Sequence, residues 1–116
     1  MPRYLISFNY GDMNVPDDEL PAVGEAARAV VRQASEAGVL VFAGGVGEPQ
    51  DTRVVAPNGQ VRVGPRSQRA EFIGGLTIVE VAGPAEALAW GAKIAAACRC
   101  DQEVREFMPG AQVCGE

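Results

Sequence analysis

Residues 4–10 (YLISFNY) decide the fold class, because apolar side chains occur here on both parities of one predicted strand. One face of the strand would carry Tyr4, Ile6 and Phe8, and the other face would carry Leu5, Ser7 and Asn9. The second face is the more polar, yet neither face is purely polar. A strand of this pattern is typical of a sheet that is covered on both sides.

The chain that follows predicts a helix, a second strand and a hairpin. Prolines and acids within 15–21 are typical of a helix start, and we expect the acids to cap its free N–H groups. Apolar residues at helical spacing continue to Gly38, which suits a helix end. Residues 39–43 (VLVFA) read as a buried strand, and Asn-Gly at 58–59 predicts the turn of a hairpin within 48–63.

The last third of the chain repeats the strand-helix-strand order. Residues 73–81 (IGGLTIVEV) predict a strand, with a bulge or a close backbone contact at its Gly74-Gly75 pair. Pro84 opens a second, alanine-rich helix that runs to about Cys98. Its Trp90 lies on the charged side and is either a partly covered surface ring or a contact with another subunit. Residues 102–108 predict a short final strand.

This order defines an α+β protein of the ferredoxin-like, split βαβ plan with an extra β-hairpin. Two helices can cover only one face of the sheet, so we expect a second copy of the sheet to cover the other and predict a homodimer. At 116 residues, a single domain over 1–116 is expected, with its core at about 3–108 and a tail at 109–116.

Composition excludes several partners and cofactors. Ten basic against 15 acidic side chains give a formal charge of −5, which disfavours nucleic acid and anionic membranes. Residues 1–4 enter the first strand without a leader pattern, and no stretch is apolar enough to span a membrane, so we expect a cytoplasmic protein.

The absence of histidine excludes Ser-His-Asp and Cys-His catalysis and most transition-metal sites. Cys98, Cys100 and Cys114 are interpreted as reduced structural thiols rather than as metal ligands or redox groups. We expect neither a metal nor another cofactor.

Two clusters are candidate sites. Asp12 and Tyr10 follow the first strand, where a carboxylate beside a phenol could act as a general base; an ordinary turn aspartate is the alternative. Arginines around Gly64-Pro65 suit a small anion, or form a solvated loop that pairs with Glu71. The candidate ligand-binding residues are Ser7, Asn9, Gly64, Pro65, Arg66, Arg69 and Glu71.

Several short motifs occur together in a characteristic order. They are Tyr10-Gly11-Asp12, AGVL at 37–40 with Gly44-Gly45, Gly64-Pro65 with Glu71 and IGG at 73–75, and EALAW at 86–90. In this order the chain resembles the YCII-related family, in its DGPF-type branch. The resemblance spans roughly residues 3–108 and implies a dimeric α/β barrel, in which two sheets face each other across a central cleft.

Departures from the family pattern limit what the resemblance implies. Val63 and Arg66 replace the Asp and Phe that flank Gly-Pro in the family, and the His–Asp pair proposed for YCII proteins has no histidine here. We therefore expect a homodimer that binds a small, anionic molecule in the inter-subunit cleft. The alternative is a cofactor-free lyase or isomerase with Asp12 or Glu71 as base, and with Tyr10 or Arg66 stabilising negative charge.

Overall fold

The computed structural model describes residues 1–66 and 71–113, and their helices and strands follow the predicted order. These elements are β1 (Arg3–Asn9), α1 (Leu20–Glu36), β2 (Leu40–Gly45), β3 (Arg53–Val55), β4 (Val61–Val63), β5 (Ile73–Glu80), α2 (Pro84–Cys98) and β6 (Glu103–Glu106). Neither described helix has the length and apolar character needed to cross a membrane.

Both helices carry a proline in their first turn, and their ends differ. Pro21 lies in the first turn of α1, but no side chain caps that helix, so the expected capping by acids is wrong; Asp17–Glu19 instead form a 3-10 turn before it. Gly38 follows α1 with a φ of 75°, a left-handed conformation that glycine adopts without strain. After α2, Arg99 takes up a φ of 58°, and its guanidinium forms an ion pair with Glu19.

Four strands form one sheet in the order β2-β5-β1-β6, and every neighbouring pair is antiparallel. Within the single chain this sheet is open and does not close into a barrel. Strands β3 and β4 form a separate two-stranded sheet, the predicted hairpin. Its turn is stabilised by the Asn58 side-chain oxygen, which accepts the N–H of Gln60 at 3.0 Å.

The core lies between the sheet and the two helices. Tyr4 and Ile6 of β1 pack with Val79 of β5 and with Ala87 and Ile94 of α2, and all five are buried. The close approach of α2 depends on Gly91, since a Cβ there would lie 3.0 Å from a Val104 methyl group. Trp90 is half-buried at the edge of this core, with the Lys93 ammonium 5.0 Å from the centre of its ring.

The opposite face of the sheet carries no helix among the described residues. Alternation along the paired strands places Leu5, Leu76 and Ile78 on this face, together with Phe42 of β2. The first three are half-buried, and Phe42 is 49% exposed. The structure thus confirms that the helices cover one side only, and we call the other side the open face.

Gly74 and Gly75 form the irregularity that the sequence predicts in β5. The register shifts where Phe8 pairs with Gly75 and Asn9 pairs with Ile73, which leaves Gly74 as the extra residue of a bulge. The Phe8 ring lies directly over Gly75, where a Cβ would come within 2.7 Å of two ring carbons. A Cβ at this position would therefore displace the Phe8 ring.

We expect Gly75→Ala to destabilise the protein by about 1–3 kcal/mol, because the added methyl group forces the Phe8 ring out of its position. Denaturant unfolding measures the change in the free energy of unfolding. Gly47→Ala is the matched control, since a Cβ at Gly47 meets nothing within 4 Å, and it should change that free energy by less than about 0.5 kcal/mol. Equal stability of the two variants would contradict the contact.

Candidate functional site

A cavity of about 580 Å³ lies between α1 and the sheet, on the side that the helices cover. We call it the helix-sheet cavity. Its walls are mainly apolar, and Thr77, Cys98 and Gln102 contribute polar atoms. The lining also includes Phe8, Met13, Val23, Gly24, Ala27, Gly45, Gly75 and Ile94.

Small residues of α1 and of the sheet line the helix-sheet cavity from both sides. Gly24 and Ala27 face it from α1, and Gly45 and Gly75 form part of its floor. Protein interiors are normally close-packed, so a space of this size is a volume that the chain itself does not fill. The volume falls within the range of sites that enclose a small organic molecule.

The rim of the cavity carries two guanidinium groups and one carboxylate. Arg28 and Arg32, on successive turns of α1, both reach Glu25, with N···O distances of 3.2 Å and 3.6 Å. All three side chains are more than half exposed, so these pairs contribute little to stability. Two positive charges against one negative charge leave the rim with a net charge of +1.

The structure brings Asn9, Asp12 and Glu71 together at the end of β1. The main-chain N–H of Asn9 donates to Asp12 Oδ2 at 3.2 Å, and its side-chain amide donates to Glu71 Oε2 at 3.3 Å. Asp12 is exposed and its carboxylate closes the turn that follows β1. Tyr10 is half exposed, and its main-chain N–H donates to the Phe72 carbonyl at 2.7 Å.

These contacts describe a hydrogen-bonded turn. Asp12 and Glu71 are both exposed, so neither has the apolar surroundings that a general base usually needs. Ser7 does not join this group, because it is buried in the middle of β1, where it pairs with Leu76 and Glu103. The catalytic roles of Asp12 and Tyr10 stay predictions.

A second, shallower depression of about 780 Å³ contains the predicted residues Pro65, Arg66 and Glu71. The hairpin adds Arg53 and Arg62 to its lining, and Arg53 was missed by the sequence interpretation. Gly64 has a φ of 91° and donates its N–H to the Thr52 carbonyl at 2.8 Å, so it turns the chain out of the hairpin. Arg69 lies outside the described residues, as does Cys114.

Cys98 and Cys100 are free thiols at the end of α2, buried and half-buried respectively. Burial raises the pKa of the Cys98 thiol above its ordinary value. Burial also raises the pKa of Cys100, and the negative charges of Asp12 and Asp101 act in the same direction. Among the described residues, no group of three acidic, cysteine or histidine side chains could hold a metal ion.

We expect both thiols to react slowly with iodoacetamide at pH 8, because a raised pKa lowers the fraction of reactive thiolate. Their alkylation rates should rise as the pH passes the ordinary thiol value, and unfolding in urea should raise the rates at pH 8. Peptide mass spectrometry resolves the two cysteines. Equal rates in folded and unfolded protein at pH 8 would show that neither thiol is protected.

The sequence interpretation missed the helix-sheet cavity. The only signal for this cavity in the sequence is a set of small residues. Gly24 and Ala27 lie on the apolar stripe of α1, and Gly45 and Gly75 lie on two strands. Nothing in the chain order says that these four positions face one another, since the sheet register decides it.

The fold and this cavity define an α+β protein with an antiparallel sheet, two helices on one face and a ligand-sized space beneath α1. Residues 3–109 match the model of the YCII-related domain, and the chain therefore belongs to the YCII-related family. No curated protein matches the chain. The predicted assignment to this family is confirmed, whereas the DGPF-type branch stays a prediction.

Proposed function

We propose that this YCII-related protein is a homodimer that binds a small apolar molecule with one acidic group in the helix-sheet cavity. The observation that carries the proposal is the cavity itself, an apolar space of about 580 Å³ with a positively charged rim. Such a space, with a few polar groups in otherwise apolar walls, is the usual form of a small-molecule site.

The acidic group is inferred from the rim. Arg28 and Arg32 share Glu25 as their partner, so a carboxylate or phosphate of the ligand can take one guanidinium without leaving Glu25 unpaired. The exchange costs little because the side chains are already solvated. A small anionic ligand was also predicted from the sequence, but for the inter-subunit cleft and from Arg66 and its neighbours.

The dimer is inferred from the open face. Its strand order, β2-β5-β1-β6 with both helices on the other side, supports the ferredoxin-like split βαβ plan. Burial of Phe42, Leu5, Leu76 and Ile78 against a second copy removes their apolar surface from water, and two sheets face to face would form the predicted dimeric α/β barrel. Asn9 and Glu71 would then lie near the rim of the inter-subunit cleft.

Titration calorimetry with decanoate and decanol tests the ligand site. We expect decanoate to bind more tightly than decanol, and Arg28→Ala with Arg32→Ala to weaken decanoate binding about 5- to 50-fold while leaving decanol binding unchanged. Arg62→Ala, in the hairpin, is the matched control and should bind both as the wild type does. Absence of binding by either compound, or an equal loss for both in the rim variant, would contradict the proposal.

A further inference from the structure

We infer that the β-hairpin is an arm that packs against a second copy of this chain along the edge of the open face, beside the contact between the two sheets. The arm comprises residues 48–66, including β3 and β4. The inference rests on the proposed homodimer and deepens it, because it names a second contact that the dimer uses. The observation that supports the inference is an apolar surface on the arm.

Three valines make one face of the arm apolar and leave it exposed. The pairs Arg53 with Val63 and Val55 with Val61 place all four side chains on the same face of the hairpin. Val55, Val61 and Val63 are 65%, 61% and 74% exposed. Valines on a hairpin normally face a core, so this concentration marks an interaction surface.

The arm receives little support from its own chain. Strands β3 and β4 make substantial contact only with each other among the described helices and strands, and an isolated two-stranded hairpin is marginal in water. The radius of gyration, 15.7 Å, exceeds the value of about 13 Å for a compact chain of this length. The arm therefore projects from the domain, and a partner must supply the apolar surface that covers its valines.

Charge favours a second copy as that partner. The arm holds Arg53, Arg62 and Arg66 against Glu48 and Asp51, a net charge of +1 on a chain whose total charge is −5. The body of a second copy is therefore negative and attracts the arm, whereas nucleic acid would be repelled by most of the protein. The open face has an apolar centre at Phe42 and Ile78, and its β6 edge carries both Glu103 and Arg105. The attraction therefore comes from the net negative charge of the body and not from this edge.

The size of the open face points to the same contact. Four strands about 4.8 Å apart and about six residues long present a face of only about 400 Å². A stable specific interface buries about 800 Å² on each partner. Contact beyond the flat footprint of the sheet enlarges the buried surface, and an arm that begins at the ends of the neighbouring strands β2 and β5 can supply such contact.

Sedimentation equilibrium of the full chain tests the inference with the triple variant Val55→Thr, Val61→Thr, Val63→Thr. Threonine keeps the shape and strand preference of valine, so the hairpin is retained, and NMR chemical shifts of residues 53–63 verify it. We expect the Kd of the dimer to rise at least 10-fold. Leu88→Thr, an exposed apolar residue on α2, is the matched control and should leave the Kd unchanged. Hydrogen exchange should show arm amides protected only at protein concentrations that form the dimer.

The outcomes separate the arm from the dimer. A wild-type dimer whose Kd is unchanged in the triple variant would overturn the arm contact and leave the proposed dimer in place. A wild-type chain that stays monomeric at all concentrations would overturn both. A charged substitution on the open face can leave the dimer intact while the triple variant is monomeric. In that case the arms pair with each other, and their placement on the sheet is wrong.

Discussion

In the proposed homodimer, Ile78→Asp should convert the protein from a dimer to a monomer. Ile78 lies at the centre of the open face, paired with Leu5 on one side and with Phe42 on the other. In a two-fold dimer each substitution occurs twice, and burial of an unpaired carboxylate costs several kcal/mol. We therefore expect the dissociation constant of the dimer to rise more than 100-fold, as measured by sedimentation equilibrium.

The same substitution should leave the monomer folded, because Ile78 is only half-buried in the single chain and an aspartate there keeps access to water. Leu88→Asp introduces the same charge at an exposed apolar position on α2 and should leave the dimer intact. If Leu88→Asp dissociates the dimer and Ile78→Asp does not, the subunits meet through α2, and Trp90 becomes the residue to test.

Ala27→Trp should abolish ligand binding by filling the helix-sheet cavity. Ala27 lines the cavity from α1 and is already in contact with the core, so an indole ring at this position has apolar surroundings. Because the ring occupies the space that the ligand needs, we expect the affinity for decanoate to fall by at least 100-fold in titration calorimetry. The loss should apply to decanol as well, unlike the loss caused by the two rim substitutions.

Ala26→Trp is the control for this prediction. Ala26 is the neighbouring residue on α1, is exposed and does not line the cavity, so binding should be retained. Ala27→Trp should change the free energy of unfolding by no more than about 1.5 kcal/mol, since the open space accepts the ring without displacing the core. If a folded Ala27→Trp variant still binds decanoate, the ligand does not bind in this cavity.

Much of the fold follows from local signals in the chain. The helix boundaries depend on Pro21, Gly38 and Pro84, and the hairpin turn on Asn58 and its following glycine. Each of these acts through the conformation of its own backbone or through a hydrogen bond to a near neighbour, so chain order is sufficient. Arg99 is an exception, because its left-handed conformation accompanies an ion pair with Glu19, which is distant in sequence.

The candidate site was predicted less well than the fold. Asn9 and Asp12 meet at the strand end that the sequence indicated, and Glu71, which the sequence analysis placed with the arginines, joins them in an exposed hydrogen-bonded turn. Arg66 and Glu71 share a depression whose further arginines, Arg53 and Arg62, come from the hairpin. Pairing across the hairpin decides which arginines are neighbours.

The sequence by itself determined which elements form, and that two helices leave one side of an apolar sheet uncovered. These properties depend on local backbone preferences and on the periodicity of apolar residues. Only the tertiary structure decided where space remains inside the protein. The helix-sheet cavity lies between α1 and strands that are far apart in the chain, and such a gap depends on the register and distance of these elements.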